Sequence, residues 1–273
     1  MYLDAHCHID HLDTDQISDY ISSFSYERWS WLVCIWTNLQ DSQQNFQIYQ
    51  DIWDVCCEKW VKVGYTVGIH PWSVQDLNDQ AMIKIEDMIK RWSGNHQKLG
   101  GFVGIWEIWT DLHYNIDSQA HSKQLEYFDK QCKLAIKYNL PVVIHSRDDF
   151  KGTLEVIRKY QNLKVYFHCW WYNKEELDVL KSIFEDNLWI GFCGNISYPK
   201  ATQLRESFNH AWKNNIKVLI ETDAPYLSIQ SLRWQTNHSK NISLHYKYIS
   251  EFFDINEDEL INQIRQNYIW LYW

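Results

Sequence analysis

Two histidines separated by one residue, His6 and His8 in "DAHCHID", can chelate a single cation if they share one face of a strand. Alternation along an extended chain puts them on the same face and turns Cys7 to the other. His145 in "VVIHS" and His168 in "YFHC" close short apolar runs in the same way, as do the acids Glu107 in "GFVGIWE" and Asp223 in "KVLIETD". The chemistry open to such a set is that of a bound cation, since imidazole and carboxylate are the ordinary ligands of divalent metals. A lone strand-end histidine reads as a hydrogen-bonded structural residue, and His11, His96, His113, His121, His210, His238 and His245 have no such placement. Six ligand-type residues, each ending an apolar run, point to a metal centre.

The elements that must position them recur along the chain. The runs are "YLDAHCH" (2–8), "LVCIWT" (32–37), "VKVGYTVGIH" (61–70), "GFVGIWE" (101–107), "PVVIHS" (141–146), "KVYFHC" (164–169), "WIGFCG" (189–194) and "KVLIETD" (217–223). Amphipathic stretches lie between them, at 122–139, 173–186 and 200–215; in the first, Leu125, Phe128, Cys132, Ala135 and Ile136 are expected on one face. Strands alternating with helices predict parallel pairing with right-handed crossovers. Eight such units predict an α/β fold, a (β/α)8 TIM barrel, as a single domain over residues 1–273. A doubly wound open sheet would want a glycine-rich loop after the first strand, and this chain has "HCHIDHLDTD" there. Barrel sites form at the carboxyl ends of the strands, where all six residues fall.

Composition bounds the rest. The apolar runs fall short of the roughly 18–20 residues that span a bilayer, so no membrane association is expected. The opening "MYLDAHCHID" lacks the apolar core of a signal peptide, which predicts a cytoplasmic protein. Seven cysteines with no CxxC pair predict reduced, buried thiols rather than a disulfide framework or a zinc-thiolate site. A net charge of −9 argues against a broad basic surface for nucleic acid. It does not exclude a phosphate substrate, because two divalent cations would bring about four positive charges to the site.

The ordered set "DAHCHID", "TNLQDS", "GIHPWSV", "WEIWTD", "LPVVIHSRDDF", "FHC", "ETDAPYL" and "RWQTN" spans nearly the whole chain and resembles the TatD-type deoxyribonucleases of the metal-dependent hydrolase superfamily. The resemblance implies a two-metal hydrolase cleaving phosphodiester bonds of DNA from single-stranded or 3′ ends, as a monomer. His6, His8 and Asp223 would hold one divalent ion and His145 and His168 the other, with Glu107 bridging. Magnesium, manganese or zinc would serve. Asp223 would accept the attacking water's proton. Arg147 offers a bidentate fork to phosphate, against an ion pair with Asp148 or Asp149. His70 would face the substrate phosphate. Glu221 would orient a metal-bound water, against a buried ion pair. Arg233 and Asn237 match the substrate loop after the last strand, where the family usually reaches a proline and this chain has Ser239.

Phosphotriesterase- and lactonase-like relatives bridge their metals with a carboxylated lysine where this chain has Glu107, and deaminase-like members need a glutamate that "IHSRDD" lacks. Other esters stay open as substrates, as does an inactive barrel kept for binding. Tryptophan occurs 16 times and glycine 9, against a usual glycine share of about 7%. Trp36, Trp106, Trp109 and Trp234 stand where the family has glycine, as at "WEIW" for G-E-x-G. The reading drawn from this is that UGA codons meaning glycine are being rendered as tryptophan.

Overall fold

The computed structural model describes residues 2–9, 31–35, 56, 61–69, 77–92, 100–112 and 117–272, with Glu107, Trp109 and Asp111 described by their backbone alone. Eight parallel strands run in sequence order around one sheet: β1 (Leu3–Cys7), β2 (Trp31–Cys34), β3 (Lys62–Val67), β4 (Gly100–Asp111), β5 (Val142–Arg147), β6 (Val165–Phe167), β7 (Leu188–Phe192) and β8 (Lys217–Ile220). A parallel bridge between Cys7 and Ala224 brings the ends of β1 and β8 together. The expected barrel is therefore the observed one, and each predicted run overlaps a strand, but β4 continues to Asp111, so Glu107 lies within its strand rather than at the expected end.

Seven described helices cover it: α1 (Asp79–Trp92), α2 (Ser118–Tyr138), α3 (Phe150–Ile157), α4 (Lys174–Phe184), α5 (Thr202–Lys213), α6 (Ile242–Phe253) and α7 (Glu257–Tyr272). Side-chain caps start several of them. The Asp117 carboxylate accepts from Ala120 N–H at 2.7 Å, and Asp149 accepts from Gly152 N–H at 3.1 Å, satisfying donors that a helix N-terminus leaves open. On α2 the inward face differs from the expected one. Phe128, Cys132 and Ala135 are buried, but Ile136 is exposed, and Gln124, Tyr127 and Gln131 take the inner positions. Gln131 can do so because its Oε1 accepts Ile69 N–H at 3.2 Å, so a polar residue is satisfied inside.

Parallel strands covered on the outside and filled within are apolar on both faces, and β1, β2, β7 and most of β3 and β8 are buried along their length. No helix among the described residues is long and apolar enough to cross a membrane.

Candidate metal centre

β1 delivers His6 within the strand and His8 just past it, while Asp223 follows β8. The bridge between those strand ends is what joins them. Asp223 N–H donates to His6 O at 3.0 Å, and His8 N–H donates to Ala224 O at 2.7 Å. Asp223 sits in the left-handed region at φ 55°, a conformation that Asp tolerates better than most residues. The ligand atoms converge: His6 Nε2 lies 3.0 Å from His8 Nε2 and 3.2 Å from Asp223 Oδ1, and His8 Nε2 lies 3.5 Å from the same oxygen. Ligands about 2.0–2.1 Å from a tetrahedral zinc are separated by about 3.3 Å, so this triangle has the dimensions of one coordination face.

β5 and the end of β6 supply the second group. His145 Nδ1 lies 2.7 Å from His168 Nε2. The His168 ring stacks on that of His6 with centroids 4.0 Å apart, so the two groups share a wall. Burial first, and then the neighbouring imidazoles His168, His8 and His145, push the His6 pKa well down. A neutral ring is the form that binds a metal. The donor set and its spacing fit divalent cations.

Two buried carboxylates stand behind these ligands. Asp4 lies two residues before His6 on the same strand face. It accepts from Thr222 N–H at 2.9 Å, Thr222 Oγ1–H at 2.6 Å and His6 N–H at 3.3 Å, and from the Ser239 hydroxyl. Burial raises its pKa to about 7 against those hydrogen bonds. The Ser239 hydroxyl is a bond that a proline at that position could not make. Glu221 is fully buried and accepts from Cys169 N–H at 2.5 Å and from the Tyr166 hydroxyl, with Oε1 3.7 Å from His168 Nδ1. A side chain at Gly191 would meet the Tyr166 hydroxyl at 2.7 Å and Glu221 Oε2 at 2.8 Å, so glycine there makes room for this pair. The buried group His6, His168 and Glu221 brings its ligand atoms within 4.8 Å, as does His6, His8 and Asp223.

The remaining predicted residues fall in different places. Arg147 ends β5 beside Ser146, whose hydroxyl is 2.8 Å from both Thr153 Oγ1 and Tyr172 OH. Asp149, one acid proposed to pair with Arg147, commits its carboxylate to the α3 cap and to His121 Nε2 at 2.6 Å. Arg233 is exposed and lays its guanidinium 3.8 Å over the Tyr198 ring. Asn237 is buried, with its amide donating to Thr222 O at 2.9 Å and Tyr226 O at 2.8 Å. It thus braces the loop that carries Tyr226, whose ring lies 5.9 Å from that of His8. Glu107 is on β4 with its side chain outside the described residues, and His70 and Trp36 lie outside them altogether. Sequence reasoning missed Asp4, although alternation from His6 and His8 already placed it on their face. It also missed Tyr166, which carries no such signal.

Two of the glycine-position tryptophans are described with their side chains. Trp106 is fully buried, edge-on to His6 at 4.6 Å, and its indole N–H has no hydrogen-bond partner among the described residues. By contrast, the indole of Trp189 donates to Asn267 O at 2.8 Å. Trp234 is 92% exposed.

A barrel with histidines and acids at the carboxyl ends of its strands is the architecture of a hydrolase centre. Its backbone is similar to the crystal structure of YjjV, a TatD homologue from Escherichia coli K12, with a TM-score of 0.77 and 19% identity over 99% of this chain and 97% of that one. Residues 3–272 match the family described as TatD related DNase, so the chain belongs to that family of metal-dependent hydrolases. Among its relatives are the uncharacterized metal-dependent hydrolase YcfH of Escherichia coli K12, 24% identical over 99% of this chain and 95% of the relative, and the 3′-5′ ssDNA/RNA exonuclease TatD of Pectobacterium carotovorum, 27% identical over 72% and 68%.

Proposed function

We propose that the protein is a 3′–5′ exonuclease that hydrolyses phosphodiester bonds of single-stranded DNA with two divalent cations, magnesium, manganese or zinc. The observation that carries this reading is the convergence of His6, His8 and Asp223 into one coordination-sized triangle, with the His145–His168 pair stacked against it through His6. A nuclease named for single-stranded DNA and RNA among the relatives supports the substrate. Bound cations supply Lewis acidity toward a phosphate oxygen and a water.

The chain's own residues do the rest. His6, His8 and Asp223 would hold one ion and His145 and His168 the other, with Glu107 of β4 proposed as the ligand shared by both. Asp223, 8% exposed, would accept the attacking water's proton. Arg147 would present its fork to the scissile phosphate, and His70 is proposed as a second partner of the same group. Glu221 orients His168 and, through it, the water. Arg233 holds a neighbouring phosphate at the rim, and Asn237 keeps that rim in shape.

The test combines metal analysis of the purified protein with hydrolysis of 3′- and 5′-labelled single-stranded DNA, duplex DNA, RNA, a phosphotriester and a lactone. EDTA-sensitive release of nucleotides from the 3′ end is expected. Turnover of the lactone or phosphotriester with no nuclease activity would overturn the substrate.

A further inference from the structure

We propose that Cys169 and Cys193 form a reversible disulfide in the wall of the metal centre, a modification site that switches the adjacent ligand His168. The two Sγ atoms lie 2.8 Å apart on the ends of neighbouring strands β6 and β7. Two thiols normally rest farther apart than this, and a disulfide needs only a closure to about 2.05 Å. Both side chains are buried, at 3% and 1% exposure, and both are free thiols. They share one surrounding, since the ligating atoms of Cys169, Cys193 and Glu221 all lie within 4.8 Å of one another.

What sets this pair apart from the other buried cysteines is what it touches. Cys169 directly follows His168 and sits in the left-handed region at φ 45°, held there by its N–H bond to Glu221. The neighbouring Trp170 N–H is fixed to Gly191 O at 2.9 Å, so the β6 end has little slack. Drawing the sulfurs together therefore acts on the segment that carries His168 and on the carboxylate 3.7 Å from its Nδ1. Shifts of this order at a site that needs placement within about 0.5 Å are expected to lower activity roughly tenfold.

The oxidant is a small hydroperoxide, as burial requires. Cys193 Sγ takes the terminal oxygen of hydrogen peroxide, giving a sulfenic acid and one water. The Cys169 thiol then attacks that sulfur, the S–S bond forms, and the sulfenic oxygen leaves as a second water with the thiol proton. Two thiols are oxidised and one peroxide is reduced. A dithiol reverses the step.

The activity effect rests on the proposed hydrolase reading, but the first measurement does not. The metal-loaded protein is treated with hydrogen peroxide, denatured with an alkylating agent present and digested without reductant. A cross-linked Cys169–Cys193 peptide, lighter by about 2 Da than the two reduced peptides together, is expected, while Cys132 stays alkylatable. Hydrolysis should fall roughly tenfold and return with dithiothreitol, and Cys193→Ser should lose neither activity nor metal under the same treatment. The proposal is overturned if no cross-linked peptide forms, or if Cys193→Ser is inactivated as fully as the natural chain. If the cross-link forms in a protein with no nuclease activity, the site stands, its effect is read as loss of bound metal, and the substrate assignment alone fails. A cross-link that leaves both metal content and activity unchanged overturns the switch.

Discussion

Asp4 and Glu221 are both fully buried carboxylates one step behind a histidine, and they hold their halves of the centre in different ways. Asp4 directs its oxygens to Thr222, Ser239 and the His6 amide, tying β1 to the loop after β8. Glu221 accepts from Tyr166 and Cys169 and lies against the imidazole of His168. One carboxylate ties together the strands that carry candidate ligands, and the other braces the segment that carries His168. Losses on the first side should therefore appear as stability, and on the second as metal affinity.

The centre itself gives the largest effect. Asp223→Asn should lower hydrolysis by about 10²–10⁴-fold in steady-state assays while leaving the fold intact, because it removes only the proposed proton acceptor and one proposed ligand oxygen. Asp4→Ala comes next. It strands four buried donors, and urea unfolding should show a loss of about 3 kcal/mol or more. If that variant keeps its stability and loses only metal, the contrast between the two carboxylates collapses. Glu221→Gln should weaken metal binding about 10- to 100-fold in a chelator competition, with a smaller change in unfolding midpoint.

A pH experiment probes the packing behind β8. Burial, partly offset by the Glu221 backbone, lowers the His245 pKa to about 4. Folded His245 stays neutral where the unfolded chain takes up a proton below about 6.5, so stability is lost as pH falls from 6.5 toward 4. Between pH 7 and 5 this amounts to about 2 kcal/mol, and His245→Gln should flatten that slope.

The smallest expected effect concerns Trp106. Gly191 leaves room for Tyr166 and Glu221, whereas Trp106 fills the space beside Tyr166 and His6 with edge-on contacts at 5.8 Å and 4.6 Å and an indole N–H that has no hydrogen-bond partner among the described residues. Trp106→Gly should raise stability in thermal unfolding by about 1 kcal/mol, the lower end of the cost of a buried unpaired donor, and increase activity. A loss of about 3–5 kcal/mol, the usual cost of emptying a tryptophan site, would say that the indole belongs there. The coding DNA decides the same point independently, since UGG at residues 36, 106, 109 and 234 ends the glycine reading.

The strands were legible because apolar runs of the right length alternate with helical stretches, and each run overlaps its observed strand within a few residues. The histidines and Asp223 were legible because strand ends can be counted. Contacts between distant strands were not. Nothing in one dimension joins Asp4 to Ser239, or sets Cys169 beside Cys193, because those meetings depend on barrel register rather than local pattern. Ile136 shows the local limit: an apolar residue at the right spacing stays exposed where Gln131 makes a better inner contact.

The bridge between Cys7 and Ala224 also sets a schedule. The centre takes His6 from the first strand and Asp223 from beyond the last, so during synthesis no ribosome-bound fragment short of residue 223 has the complete triangle. At about 5–20 residues per second, the first ligands wait on the order of ten seconds or more for their partner. Any hydrolytic competence thus arrives late and all at once. A product truncated before residue 223 would carry His6 and His8 without Asp223, so the first set of candidate ligands is complete only after the eighth strand has been made.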